Sequence, residues 1–229
     1  MRLFKQFADQ NCVAVTDAAT TGNGELVALN IGHAIKSRLM QGMIAWRSQL
    51  ANPGQIFQQA LAFTKESISK CSSVNSSEAV LNNHLGLSKA NFMAFLVGIE
   101  RIPDRIVGLE ADVLLDGVLA NSLFDQWDSE AWSRGIDRLR KLQGTELAVR
   151  SYQTYLDILN SNNPETTRKH VIVAIDNYGK RKSNAFFSGG NQTDGGGLDN
   201  AYVVDYRLAA VMKRVEHKSN TMHDWLWDR

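Results

Sequence analysis

The stretch Pro164-Glu165-Thr166-Thr167-Arg168-Lys169-His170-Val171-Ile172-Val173-Ala174-Ile175-Asp176-Asn177-Tyr178-Gly179-Lys180-Arg181 decides the fold class, because its centre reads in two ways. Val171 to Ile175 is β-branched enough to make a strand. The flanks favour a helix: Pro-Glu opens the segment, Tyr-Gly closes it, and the two lie at helical distances. As a helix from Glu165 to about Arg181, the segment places Val171, Ala174, Ile175 and Tyr178 on one face. Read as a helix, it leaves the chain without a persistent alternating strand, and the fold class is all-α.

The neighbouring segments follow the same periodicity. Upstream of the turn Asn160-Ser161-Asn162-Asn163-Pro164, Leu147, Val149, Tyr152, Tyr155, Leu156 and Leu159 mark a helix from Thr145 to Leu159. Before it, Asp128 or Ser129 caps a helix carrying Trp132, Ile136, Leu139 and Leu142, which Gly144 closes. A helix from about Asp104 to Phe124 holds Ile106, Leu109, Val113, Leu114, Gly117, Val118 and Leu123. Another, capped by Ser88, contains Phe92, Phe95, Leu96 and Ile99 and stops before Pro103, since the residue ahead of a proline is pushed out of the helical region.

Nearer the N-terminus, Ala28, Ile31, Ile35, Leu39, Met43, Trp46 and Leu50 step by three and four within Glu25 to Leu50. Asn52-Pro53-Gly54 breaks that helix and Ile56 to Ile68 restarts it; after the polar Cys71 to Ser77, a short helix capped by Ser76 or Ser77 runs through Leu85. The last helix is expected from Leu198 or Asp199 to about His217. The expectation is one domain over residues 1–229, with about nine helices packed as successive antiparallel hairpins. No fixed-period repeat is present, so any solenoid character is irregular.

Composition narrows the function classes. With 229 residues, 44% hydrophobic, the chain can bury one sizeable core, and a formal net charge of +1 supplies no global field for nucleic acid or anionic membrane. Cys12 and Cys71 are two cysteines, too few for a disulfide framework or a four-ligand zinc site, and read as reduced, buried thiols. No apolar run approaches the ~20 residues of a membrane span, and no secretory signal is apparent at the start, so a soluble cytoplasmic protein is expected.

Reactive constellations are absent from the sequence. His33, His84, His170, His217 and His223 are scattered, without the spacing of a zinc hydrolase or deaminase. Asp205 or Asp224 beside His217 or His223 could do acid–base work, although a histidine in the last turn of a helix more simply complements the helix dipole. The loop Ser188-Gly189-Gly190-Asn191-Gln192-Thr193-Asp194-Gly195-Gly196-Gly197-Leu198 lacks a Gly-Lys-Ser/Thr ending and follows no strand, which counts against a phosphate cradle. It also lacks the closing glutamate of a calcium loop. No metal, cofactor or catalytic residue is assigned. The loop, taken as 188–200, is expected to be mobile, and the tail His223-Asp224-Trp225-Leu226-Trp227-Asp228-Arg229 to dock.

Charge is distributed in opposed blocks. Glu100 to Glu130 contains eight acids and two bases, a net of −6, whereas Ala131 to Lys182 contains ten bases and five acids, a net of +5. These blocks are ordinary solvated helix faces on one reading. On the other, the acidic block meets a basic protein partner, with Asp112, Asp116, Asp125 and Asp128 beside Trp127 as anchors and Asn191 and Asp194 contributing from the glycine loop. The basic block has no recognisable nucleic-acid motif or regular aromatic interleaving.

Ile35-Lys36-Ser37-Arg38-Leu39 with Trp46, the Phe92 to Arg105 segment, Val204-Asp205-Tyr206-Arg207-Leu208-Ala209-Ala210-Val211 and His223-Asp224-Trp225-Leu226-Trp227 together give a pattern over most of the chain. In that pattern the sequence resembles the immunity 49 family of bacterial polymorphic-toxin immunity proteins. The resemblance implies an all-helical, non-catalytic protein that binds a cognate toxin and blocks its active site or substrate path. Gly189 to Asn200 is longer and richer in glycine than the family pattern, and is either private to this protein's partner or an insertion. A helical-repeat adaptor, or a helical enzyme with a pocket under the glycine loop, are the alternatives.

Overall fold

A computed structural model describes residues 87–96, 98, 100, 101, 111–187 and 205–219, with isolated helical positions before residue 63. Six helices are defined: α1 (Leu87–Leu96), α2 (Ala111–Ser122), α3 (Ser129–Arg140), α4 (Glu146–Asn160), α5 (Pro164–Phe187) and α6 (Tyr206–Ser219). No strand occurs among the described residues, so the fold class is all-α as expected. The helices expected over Glu25–Leu50, Ile56–Ile68 and up to Leu85, the glycine loop and the tryptophan tail lie outside the described residues. By its contacts the chain divides into two compact units, Met1–Ala131 and Trp132–Arg229.

In the first unit α1 packs against α2. Phe92 and Ala94 on α1, and Leu115, Val118, Leu119 and Ala120 on α2, are fully buried. Phe95 meets Phe124 edge-to-face, with ring centroids 5.4 Å apart, a geometry that aligns the positive ring edge with the negative face. Helix α1 ends earlier than Pro103 would require. Gly98 takes φ +72° and its N–H bonds the Phe95 carbonyl at 3.2 Å, so a left-handed glycine terminates the helix before the proline can. Leu87 already lies within the helix, so Ser88 is a first-turn residue and not the cap.

In the second unit α4 packs against both α5 and α6. The α4–α5 turn occupies residues 161–163, and its chemistry is explicit. Asn163 Oδ1 accepts the N–H groups of Glu165 and Thr166 at 2.9 and 3.1 Å, while Pro164 takes the first helical position, where a missing N–H costs nothing. At the preceding corner Thr145 Oγ1 donates to the carbonyls of Leu139, in the last turn of α3, and Leu142, just past its end. Gly144 there has φ +74°.

The core of this unit is aromatic along one face of α4. Tyr152 makes edge-to-face contacts with Trp132 at 6.2 Å and Tyr155 at 6.3 Å, and Tyr152, Tyr155 and Ile158 are all almost completely buried. Each large side chain buried in this way contributes about 1.5–3 kcal/mol relative to its exposed state. The hydroxyls of Ser151 and Thr154 lie on the same face and each donates to the carbonyl four residues back, at 2.8 Å.

Helix α5 settles the ambiguous pentapeptide as helical, and its burial corrects one expected face. Thr167, Val171, Ala174 and Asn177 are buried, whereas Ile175 is exposed with Ile172 and Val173. The buried set steps 167, 171, 174, 177, a helical stripe that contains two polar residues and leaves the isoleucines outside. Leu142 is likewise exposed, because it lies past the end of α3.

Candidate functional site

The α2–α3 corner carries the expected anchors Asp125, Trp127 and Asp128 in six consecutive exposed residues, 125–130. Its backbone is built by two capping devices back to back. At the end of α2 the Gln126 N–H bonds the Asn121 carbonyl at 3.1 Å and the Asp125 N–H bonds the Ser122 carbonyl at 3.3 Å, the paired bonds of a Schellman ending. That ending needs a left-handed residue, and Asp125 supplies it with φ +62°. An L-residue there meets its own carbonyl, which disfavours the conformation by about 1–2 kcal/mol, less for aspartate than for most.

Three residues on, Asp128 Oδ1 accepts the Ala131 N–H at 2.9 Å and caps α3. Of the two capping candidates in the sequence, Asp128 is therefore the one used, and Ser129 opens the helix. Between the two caps stands Trp127, 43% exposed. The corner thus presents an exposed indole with three exposed acidic residues, Asp125, Asp128 and Glu130, within three positions of it. Asn121, which anchors the Schellman turn through its carbonyl, is itself buried and accepts a 3.0 Å bond from Arg101 Nη1. An arginine outside the corner therefore fixes the residue from which the corner is hung.

The other expected anchors are not all brought together. Asp112 and Asp116 are half-buried near the start of α2, with Asp112 Oδ1 accepting the Val113 N–H at 2.9 Å. At about 1.5 Å per residue, α2 sets Asp112 roughly 15 Å and Asp116 roughly 9 Å along the axis from its C-terminal end at Ser122, where the corner begins. Asn191 and Asp194 lie outside the described residues. The corner, and not the whole acidic block, is the coherent patch.

The acid–base candidates separate similarly. Asp205 and His217 flank or occupy opposite ends of the 14-residue α6, about 18 Å apart. Asp205 is buried: its Oδ2 accepts the hydroxyl of Tyr155, and its Oδ1 accepts the Leu208 N–H at 3.2 Å, capping α6. This cap starts the helix at Tyr206, later than the sequence implied. Arg207 lies over the rings of Tyr206 at 5.0 Å and Tyr152 at 6.0 Å, a stacking that covers the aromatic core. His217 is exposed in the last turn, where a cation complements the helix dipole.

An open groove of about 420 Å³ runs beside α4, lined by Arg140, Thr145, Glu146, Val149, Arg150, Gln153, Thr154 and Asp157. Two arginines and two acids alternate around it, so it selects neither charge sign. Three basic residues of the second unit pair locally on exposed helix faces: Arg140 with Asp137 at 3.6 Å, Lys169 with Glu165 at 3.1 Å and Lys180 with Asp176 at 2.6 Å. Pairs this exposed contribute only a few tenths of a kcal/mol.

Among the described residues no group of three His, Cys, Asp or Glu could hold a metal ion, and no helix is long and apolar enough to cross a membrane. Comparison with family models, with curated proteins and with solved structures gave no match.

Proposed function

We propose that this chain is a helical binding protein that engages a basic protein surface through the α2–α3 corner, and that the partner is a cognate toxin whose active site or substrate path it covers. The observation that carries the binding reading is the exposed Trp127 held between two capping aspartates. An exposed indole on a rigid turn presents a large contact area at little entropic cost, and a ring of carboxylates steers and orients a cationic partner. The toxin-neutralising reading rests on the resemblance to the immunity 49 family. Its scaffold would be the full series of about nine helices stacked as hairpins, acting in the cytoplasm, and the loop at 188–200 would add Asn191 and Asp194 to the contact.

Co-expression with the product of the adjacent gene is the direct test. The expected outcome is a stable complex and protection of the host from that product. Trp127→Ala should weaken the complex by roughly 30-fold or more, as an anchor worth about 2 kcal/mol requires. Asp128→Ser should weaken it less, since serine keeps the α3 cap and removes only the charge. If no neighbouring product binds or is neutralised, the toxin reading fails. A complex that forms but ignores both substitutions would place the contact elsewhere.

A further inference from the structure

The outer face of α5 carries three large exposed apolar side chains. Ile172 is 50% exposed, Val173 43% and Ile175 53%, on a 24-residue helix whose opposite face is buried through Thr167, Val171, Ala174 and Asn177. Isolated exposed apolar side chains are ordinary; here Ile172 and Val173 lie adjacent on one outward stripe of a long helix, with Ile175 on its flank. The charges along the same stripe are ordered. Stepping outward from the midpoint between Ile172 and Val173, Lys169 lies as far to one side as Asp176 to the other, and Glu165 as far as Lys180. Each side of the midpoint therefore carries the charge opposite to its mirror position.

That sequence symmetry has a geometric meaning. When two copies of one helix lie antiparallel about a two-fold axis, the residue a given distance before the axis comes level with the residue the same distance after it in the other copy. Ile172 then comes level with Val173 of the second copy, and Val173 with its Ile172, on either side of the axis. Lys169 comes level with Asp176 of the second copy, and Glu165 with Lys180 of the second copy. No like-charged residues of the stripe come level. Each end gathers two cations and two anions in alternation, because the pairs already present within each chain, Glu165 with Lys169 and Asp176 with Lys180, are brought against their opposites. Gly179, on the flank of the stripe, has nothing within 4 Å of the position a Cβ would take. A glycine inside an exposed helix costs about 1 kcal/mol against alanine, and here it lowers the helix surface where a second helix would approach.

We propose that the outer face of α5 is a self-association surface, and that the occupant is a second copy of this chain, bound antiparallel about a two-fold axis at Ile172 and Val173. The site uses residues separate from the acidic corner, so it stands or falls independently of the toxin-binding reading. A single pair of helices buries less than a standard interface, so the dimer is weak, with a Kd of tens of micromolar as the order of magnitude.

Sedimentation equilibrium of the full chain across a concentration series tests this, with circular dichroism to verify that each variant stays folded. At low ionic strength the wild type should dimerise. Glu165→Lys alone sets lysine level with lysine, and Lys180→Glu alone sets glutamate level with glutamate; each should weaken the dimer about 10-fold or more. The double variant Glu165→Lys/Lys180→Glu restores opposite charges only across the two-fold axis and leaves like charges adjacent within each helix. It should recover the dimer to within about 3-fold, a result that a local helix effect could not produce. A chain that stays monomeric to ~500 µM overturns the proposal. So does a dimer indifferent to the single changes, or a double variant no better than the singles.

Discussion

Asp125 shows how one residue serves structure at the expense of its own comfort. The Schellman ending of α2 needs positive φ, and glycine would supply it without steric conflict, yet the position holds an exposed aspartate two residues before Trp127. Strain held at an exposed charged residue is the kind of outlier that marks a contact site. Asp125→Gly should therefore raise stability, by up to ~1 kcal/mol once the greater freedom of glycine in the unfolded chain is subtracted. The same change should weaken binding of a cationic partner. Thermal denaturation and a binding isotherm on the same preparation check both directions; lower stability together with unchanged binding would contradict the account. The sequence revealed Asp125 as one acid among eight. It did not reveal the strain, because an aspartate, unlike a glycine, does not announce a left-handed conformation locally, and Asn121, whose backbone carbonyl completes the turn, is held at its side-chain Oδ1 by Arg101, twenty residues away.

At the scale of the element, α5 separates what periodicity can read from what it cannot. The helix was legible from Asn163-Pro164-Glu165 at one end and from the helical spacing of its apolar residues. Its inward face was not. Val171 to Ile175 is apolar at every position, so any choice of stripe through it finds hydrophobic residues. The inward direction is set by Thr167 and Asn177, polar residues that a hydrophobicity pattern assigns to solvent. Thr167 can be buried because its hydroxyl donates to the Asn163 carbonyl and lies 2.9 Å from the Ser161 hydroxyl. The structure therefore predicts opposite responses from two neighbouring β-branched residues. Val171→Asp buries an unpartnered carboxylate and should cost about 3 kcal/mol or more, whereas Ile175→Asp should change monomer stability by less than ~0.5 kcal/mol. Urea denaturation of the two variants decides it, and equal costs would mean that the helix is turned the other way.

At the scale of the molecule, the helical class could be read from sequence and the joins between helices could not. Among the described residues, several contacts that join the elements are made by side chains distant in the chain: Phe95 with Phe124, Arg101 with Asn121, Tyr155 with Asp205. Nothing local announces such pairs. The candidate site was legible in its residue types, an exposed tryptophan among acids, and not in its extent, since the length of α2 divides the eight-acid block into separate groups. The opposed charge blocks survive as a description of composition, but on the basic side Arg140, Lys169 and Lys180 are taken up in local ion pairs on exposed helix faces.

The bond from Tyr155 to Asp205 spans 50 positions, while α4 and α5 are joined by a turn of residues 161–163. Those two separations impose an order on how the second unit assembles. Bringing Asp205 to Tyr155 closes a loop of about 50 residues, at an entropic cost roughly 2.5 kcal/mol above that of the three-residue turn. The α4–α5 hairpin should therefore already be formed in the folding transition state, with α6 docking afterwards and drawing its cap into place only when the tyrosine is there to receive it. Kinetic measurements make this concrete. Val171→Ala, in the hairpin, should slow folding, whereas Val211→Ala, buried on α6, should chiefly speed unfolding. The reverse pattern would mean that the C-terminal helix nucleates the unit.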